Sequence, residues 1–303
     1  MSSGTPSNRP DTVEPSAITI VASGDAEVAL HHFGGEGPPL IISHATGFHA
    51  RTYQPVIAAL RSSFDVWGVD YRGHGHSLLD ETSTFVWHDF ADDLLAAVAE
   101  MRTQLRLDTT APIVGLGHSM GATTILLAEQ RKPGTFAAAW LFEPIVFPAD
   151  VTPRNSMMAA SARKRRSEFA SRAAVIDRYA SRAPLNRLRA DALWSYVKDG
   201  FRDTADGAVT LACRPVHEAL TFNGAKIQAA DLGDVMLPVL IAQGETVSDQ
   251  PSAADFALGT ANALSNAEHR AYQHLGHFGP LETPDHLAND IIDWFREGGY
   301  CSR

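Results

Sequence analysis

Three short, almost entirely apolar runs limit the folds open to this chain more than any other feature of its sequence. They lie at residues 39–43, 112–117 and 238–243, and each begins at a proline. Runs of this length between turn-forming residues are typical of strands. A strand without polar alternation is typical of a parallel sheet that is covered on both faces.

Weaker strand patterns and several helical patterns surround these runs. Apolar residues at helical spacing over 89–105, 120–130 and 285–294 predict helices that cover the sheet. The alternation predicts an α/β fold, with a mostly parallel sheet of eight strands and helices on both faces. The five further strands are expected at residues 17–22, 27–31, 64–69, 137–142 and 269–273.

The alternation stops between residues 148 and 222, where Arg-rich and Ala-rich helical patterns occur without a convincing strand. This segment predicts a helical cap inserted into an α/β core made of residues 17–147 and 223–303. Residues 1–16 lack an apolar pattern, and we expect them to form a disordered tail.

Composition excludes several classes of protein. The formal net charge of -10 argues against a nucleic-acid-binding function, which needs a concentrated basic surface. The 2 cysteines, Cys213 and Cys301, cannot form a disulfide framework. The N-terminus has no signal-peptide pattern and no window is long and apolar enough to cross a membrane, so the expected location is the cytoplasm.

The pentapeptide Gly-His-Ser-Met-Gly at residues 117–121 lies directly between a predicted strand and a predicted helix. A sharp strand-to-helix turn needs small residues on both sides of its apex, and Gly117 and Gly121 supply them. The turn would hold the Ser119 hydroxyl above the positive end of the helix, with the Met120 N–H directed at the same point. Ser119 is therefore the predicted nucleophile.

Several other stretches resemble the α/β-hydrolase family in the same order along the chain. His-Ala-Thr-Gly-Phe at 44–48 follows the third strand, and Asp-Tyr-Arg-Gly-His-Gly-His-Ser at 70–77 follows the fourth. His277 follows the last strand, where the family carries its catalytic histidine. The resemblance implies that His277 is the general base, with His274 as the nearby rival.

The resemblance also implies an oxyanion hole formed by two backbone amides. One is the Met120 N–H. Ala45 stands where the family usually has glycine, and the motif, matched residue by residue, assigns the second amide to Thr46.

Three carboxylates compete for the acid of a catalytic triad. The family's chain order of nucleophile, acid and histidine favours Asp249, five residues after Gly244. Glu143, at the end of the strand 137–142, is the main alternative, because some relatives carry the acid after that strand. Glu245 is the third candidate.

These residues predict a serine hydrolase that cleaves an ester or related acyl bond in a small molecule through an acyl-enzyme, without a cofactor or metal. The same triad would also serve a carbon–carbon bond hydrolase, a thioesterase or a cofactor-free perhydrolase. A binding protein of the same fold without turnover is the alternative from another class.

The predicted cap is strongly basic. Residues 154–202 contain 12 Lys or Arg and 4 Asp or Glu, whereas the rest of the chain is acidic. The densest run is Arg-Lys-Arg-Arg at 163–166, and it is either a solvated helix face or part of a surface that attracts an anionic substrate.

Overall fold

A sheet of nine strands crosses the protein in its computed structural model, which describes residues 13–79, 83–148, 157–246 and 252–302. A separate three-stranded sheet lies within the predicted cap. The strands are β1 (Ala17–Ser23), β2 (Ala26–Gly35), β3 (Pro39–Ser43), β4 (Asp65–Asp70), β5 (Leu78–Leu79), β6 (Val114–His118), β7 (Ala138–Phe142), β8 (Glu168–Phe169), β9 (Phe201–Asp203), β10 (Val209–Leu211), β11 (Val239–Gln243) and β12 (Ala267–Ala271).

Helices cover the sheet and also lie in the segment predicted to be a cap. They are α1 (Gln54–Leu60), α2 (Trp87–Leu105), α3 (Met120–Arg131), α4 (Met157–Arg163), α5 (Arg172–Ala180), α6 (Ala190–Asp199), α7 (Pro215–Gly224), α8 (Ala229–Leu232), α9 (Ala253–Ala263), α10 (Gly279–Glu282) and α11 (Pro284–Glu297). Two 3₁₀ helices, Ala50–Tyr53 and Leu185–Arg187, connect these elements. No helix in the described ranges is long and apolar enough to cross a bilayer.

The main sheet has the order β1-β2-β4-β3-β6-β7-β11-β12, and β5 pairs with β2. All pairs from β4 to β12 are parallel, whereas β2 pairs antiparallel with β1, β4 and β5. The predicted α/β class with a mostly parallel sheet is confirmed. The sheet has nine strands rather than eight, because β5 contains only two residues and leaves no periodic pattern in the sequence.

The apolar runs face two separate hydrophobic clusters, one on each side of the sheet. In β3, Leu40 and Ile42 belong to one cluster and Ile41 to the other. In β11, Leu240 and Ile241 divide in the same way. Alternate residues of a strand point to opposite faces, so a strand buried on both sides must be apolar throughout.

In its described part, residues 157–222, the segment predicted to be a cap contains helices α4 to α7 and a small antiparallel sheet in the order β8-β10-β9. The sequence pattern predicts helices alone, because these strands have only two or three residues each, which is too short for a strand pattern. The last helix of the segment, α7, ends at Gly224, two residues beyond the predicted boundary.

The predicted tail falls mostly outside the described residues, which begin at Val13. Within residues 13–16 the chain contacts the body of the protein. The Ser16 N–H donates to the His32 carbonyl at 2.7 Å, and Glu14 forms an ion pair with Arg51. These contacts place the last residues of the predicted tail against the domain.

Candidate active site

Ser119 occupies the sharp turn between β6 and α3, with φ 54° and ψ -115°. A side chain at Gly121 would place its Cβ 2.0 Å from the Ser43 carbonyl oxygen. A Cβ at Gly117 would lie 2.5 Å from the Ala122 Cα. Both glycines are required because main chain lies where a side chain would be, and the turn presents Ser119 at the carboxyl edge of the sheet.

His277 lies beside Ser119, on the loop between β12 and α10. Its Nε2 is 3.1 Å from the Ser119 Oγ, and its Nδ1 is 2.5 Å from Glu143 Oε2. A carboxylate accepts from Nδ1–H and leaves Nε2 free to accept the Ser119 proton. The three side chains therefore form one continuous hydrogen-bonded line.

Glu143 is fixed by its surroundings at the end of β7. It is buried, its backbone has φ 46°, and its N–H donates to the Ala242 carbonyl at 2.8 Å. Its second carboxylate oxygen, Oε1, accepts the Gly244 N–H at 2.7 Å. With one oxygen held by a backbone amide, the other is directed at His277.

The acid candidates separate in the structure. Glu143 contacts His277, whereas Glu245 is exposed and is held through its backbone N–H on the Leu275 carbonyl. Asp249, the carboxylate that the family's chain order favours, lies outside the described residues. The position at His277 Nδ1 that was expected for Asp249 is occupied by Glu143. The Glu143 carboxylate reaches that position because β7 and β11 are neighbours in the sheet and end at the same edge.

Two backbone amides remain for an oxyanion. The Met120 N–H opens helix α3, and the first amides of a helix have no partner within it. In the loop after β3, the Thr46 N–H has no acceptor among the described residues. The neighbouring amides are all engaged, with Ala45 donating to Tyr53 Oη, Gly47 to His74 Nε2 and Phe48 to the Ala45 carbonyl.

His118, which precedes the predicted nucleophile, links two loops. One is the predicted oxyanion loop, residues 44–48 after β3, and the other is the loop that carries His277. Its Nε2–H donates to the His277 carbonyl at 2.7 Å, and its Nδ1 accepts from Tyr53 Oη at 2.7 Å. The same Tyr53 oxygen accepts the Ala45 N–H at 3.2 Å. Burial, followed by the nearby His277, lowers the pKa of His118 well below its ordinary value, so the ring is neutral. Sequence inspection favours a packing role for this residue and does not reveal this connection.

Ser119 and His277 open into a cavity of about 550 Å³ between the sheet edge and the inserted segment. Thr46 and Phe48 line it from the loop after β3. Met158, Tyr179 and Tyr196 line it from the inserted segment. Phe169, Leu188 and Phe201, which lie on the same segment, are instead buried in the hydrophobic cluster that the segment shares with one face of the main sheet.

A partly buried ion pair ties the inserted segment together at this cavity. Arg165 Nη1 donates to both carboxylate oxygens of Glu218, at 2.9 and 3.1 Å, and Arg165 also contacts the hydroxyls of Tyr179 and Tyr196. Burial lowers the pKa of Arg165, but Tyr196 and Glu218 outweigh that effect and raise it well above its ordinary value. Arg165 is thus a charged structural residue.

One group of metal-ligating residues occurs in the described part of the chain. His31, Asp70 and His76 bring one ligand atom each within 4.8 Å of the others. The Asp70 oxygens already accept from the Ala50 N–H at 2.7 Å, the His76 N–H at 2.9 Å and the His31 Nε2 at 2.8 Å. Burial raises the pKa of Asp70, but His31 outweighs it and holds that pKa well below its ordinary value. These donors give Asp70 a structural role at the turn after β4.

Comparison with known proteins agrees with this geometry. The family model described as "Serine aminopeptidase, S33" matches residues 39–278. The chain is 28% identical to the 2-(acetamidomethylene)succinate hydrolase of Mesorhizobium japonicum over 218 residues, which cover 70% of this chain and 72% of the relative. It is 31% identical to the monoglyceride lipase homolog of Monkeypox virus over 122 residues, which cover 40% of this chain and only 43% of the viral protein.

A solved structure of an E-2-(acetamidomethylene)succinate hydrolase shares the fold. The TM-score is 0.74 at 24% sequence identity, and the match covers 92% of this chain and 99% of the solved one. The match covers nearly all of both chains, so the two proteins share one overall fold.

Proposed function

This chain belongs to the serine aminopeptidase S33 family of α/β-hydrolases, and we propose that it hydrolyses an ester or related acyl bond of a small molecule. Ser119 is the nucleophile, His277 the general base and Glu143 the acid that orients it. The Thr46 and Met120 amides form the oxyanion hole. The segment 148–222 acts as a lid over the site.

The reaction follows from the hydrogen-bonded line. Ser119 Oγ attacks the substrate carbonyl carbon while His277 Nε2 takes its proton, and the two amides stabilise the resulting oxyanion. The imidazolium, held by Glu143, then donates that proton to the leaving group, and an acyl-enzyme forms. Water, deprotonated by His277, attacks the acyl carbon, and Ser119 recovers its proton as the acid leaves.

The observation that carries this proposal is the contact of 3.1 Å between Ser119 Oγ and His277 Nε2 at a strained turn. Backbone strain of this kind costs about 1–3 kcal/mol and is concentrated at functional sites. A purely structural serine would need neither the φ of 54° nor an aligned histidine.

Labelling with a fluorophosphonate probe tests the proposal. We expect Ser119 to be labelled at neutral pH, and p-nitrophenyl acetate to be hydrolysed. Ser119→Ala should abolish both. Absence of labelling in the unmodified protein, or labelling that survives Ser119→Ala, would show that Ser119 is not an activated nucleophile and would favour the non-catalytic alternative.

We further propose that the substrate is an acid. The Mesorhizobium relative is named for a substituted succinate, which carries two carboxylates. The basic composition of residues 154–202 supports the same class of substrate for this chain.

A further inference from the structure

Five basic side chains line the cavity that holds Ser119 and His277, and two of them are occupied by the protein itself. Arg165 is bound to Glu218 on both carboxylate oxygens. Arg166 donates its Nε–H to the Glu168 carbonyl at 2.7 Å, and its guanidinium lies 4.6 Å from the centre of the Phe169 ring. The five residues are Lys164, Arg165, Arg166, Arg178 and Arg182.

The other three basic side chains in the lining are not used by the protein for its own contacts. Among the described residues, the side chains of Lys164, Arg178 and Arg182 form no hydrogen bond or ion pair, although each lines the cavity. Glu218 is the one acidic residue in the described lining, and Arg165 already neutralises it. The cavity wall therefore carries three positive charges without an acidic partner among the described residues; Lys164 and Arg182 are exposed to solvent and Arg178 is partly buried.

Arg178 and Arg182 are the centre of this cluster. Arg178 lies in the last turn of α5. Arg182 is four positions after Arg178 and lies just beyond the end of the helix. Both side chains line the same cavity, so their positive charges act together on an anion inside it. Arginine also matches the two oxygens of a carboxylate with paired N–H donors.

We propose that Arg178 and Arg182, assisted by Lys164, bind a carboxylate of the substrate, and that the enzyme prefers esters or amides of short acids bearing a second carboxylate. This inference rests on the proposed function and adds the residues that select the substrate. The apolar surface of Phe48 and Phe278 in the same cavity contacts the hydrocarbon between the carboxylate and the scissile carbonyl.

Matched esters test the preference. Mono-p-nitrophenyl succinate carries a carboxylate on the acyl side, 4-carboxyphenyl acetate carries it on the leaving-group side, and p-nitrophenyl pentanoate is neutral and of similar length. We expect kcat/KM to be about tenfold or more higher for mono-p-nitrophenyl succinate than for the neutral ester, since charge-assisted hydrogen bonds are the strong ones. A preference for 4-carboxyphenyl acetate would overturn the proposal that the acyl group carries the carboxylate.

Variants locate the site. Arg178→Gln and Arg182→Gln should each raise KM for the preferred anionic ester about tenfold with little change in kcat, and should leave the neutral ester unaffected. Arg163→Gln is the matched control, because Arg163 belongs to the same basic run but lines a different pocket. The preference should also weaken as salt is added.

Binding separates this inference from the proposed function. We expect Ser119→Ala protein, which cannot form an acyl-enzyme, to bind monomethyl succinate in calorimetry, and to lose that binding when Arg178→Gln and Arg182→Gln are added. Equal kcat/KM for all three esters, or a preference that persists in the double variant, would overturn the anion site while leaving the hydrolase intact. Binding without any turnover or labelling would instead retain the anion site and reject the hydrolase.

Discussion

Ser119 and Glu143, two side chains at the centre of the site, sit on backbone that L-amino acids rarely adopt, with φ of 54° and 46°. Each follows the last residue of a buried parallel strand, β6 or β7, and the two strands are neighbours. Such conformations persist only where the surrounding structure enforces them. Here the enforced turns direct both side chains toward His277, as the proposed triad requires.

The identity of the acid gives the first prediction. Glu143→Gln keeps the shape of the side chain but removes the charge that stabilises the His277 imidazolium, so we expect kcat to fall on the order of 10³–10⁴-fold. Asp249→Asn should change kcat less than about threefold. Steady-state hydrolysis of p-nitrophenyl acetate measures both effects.

Glu245→Gln is the control for these variants, since Glu245 is acidic, close in sequence to Asp249 and exposed. The rate of fluorophosphonate labelling should follow kcat across the series. A large loss in Asp249→Asn together with a near-normal Glu143→Gln would reassign the acid to the loop after β11.

His118 gives the second prediction, as a positioning residue for His277. Its Nε2–H holds the His277 main chain, and loss of that bond lets the general base shift relative to Ser119. We expect His118→Ala to lower kcat about tenfold to a hundredfold with little change in KM. His118→Gln, which restores a donor near the same point, should recover part of the rate. If His118→Gln recovers none of the kcat lost in His118→Ala, His118 has a purely structural role.

At the scale of elements, the turn between β6 and α3 depends on Gly121. An added methyl group there would lie 2.0 Å from the Ser43 carbonyl oxygen, so β3 and α3 would have to separate. Gly121→Ala should lower the free energy of unfolding by about 3 kcal/mol or more, as overpacking a rigid core does. Urea denaturation measures this value.

Gly259, in the middle of α9, is the matched control for the same substitution. Nothing lies within 4 Å of the point that an added methyl group would occupy, and its backbone is helical. Gly259→Ala should therefore stabilise the protein by about 0.5–1 kcal/mol. A Gly121→Ala protein as stable as Gly259→Ala would show that the turn relaxes without cost.

Elements with a period or a motif were predictable from the sequence, and very short or purely spatial features were not. The apolar runs identify β3, β6 and β11 because burial on both faces leaves a signal in every residue. Strands β5, β8, β9 and β10 have two or three residues, so no alternation can appear. The acid is not fixed by spacing because β7 and β11 lie side by side, and a carboxylate after either strand can reach His277.

At the scale of the whole molecule, three buried histidines near the site make the stability of the fold depend on pH. In each ring one nitrogen donates a hydrogen bond to a carbonyl and the other accepts a hydrogen bond from a neighbour. His44 bonds the Ala45 carbonyl and the Tyr71 N–H, His74 bonds the Arg72 carbonyl and the Gly47 N–H, and His118 bonds the His277 carbonyl and Tyr53. A second proton would meet a donor, so only the neutral ring fits.

The pKa values of these rings follow this constraint. Burial is the largest cause in all three, and it lowers the pKa of His44 to about 3. Burial likewise lowers the pKa of His74 and of His118. The unfolded chain takes up protons near pH 6.5, whereas the folded chain does not until the pH is much lower. The stability that these rings contribute is complete above pH 6.5. It is lost progressively as the pH falls from there toward the lower pKa values of the folded protein.

The last prediction is acid sensitivity of the whole fold. Each such histidine removes roughly 1.4 kcal/mol per pH unit, so three remove about 4 kcal/mol per unit below about pH 6. Burial also lowers the pKa of His49 and of His217, so urea unfolding between pH 5 and 7 should give a slope equal to an uptake of about three protons or more. His74→Gln should reduce that slope by about one proton, since Gln can still accept the Gly47 N–H. A stability that is level from pH 7 to pH 5 would contradict the neutral state of the three rings, and with it the hydrogen-bond directions that hold the oxyanion loop and His277 in place.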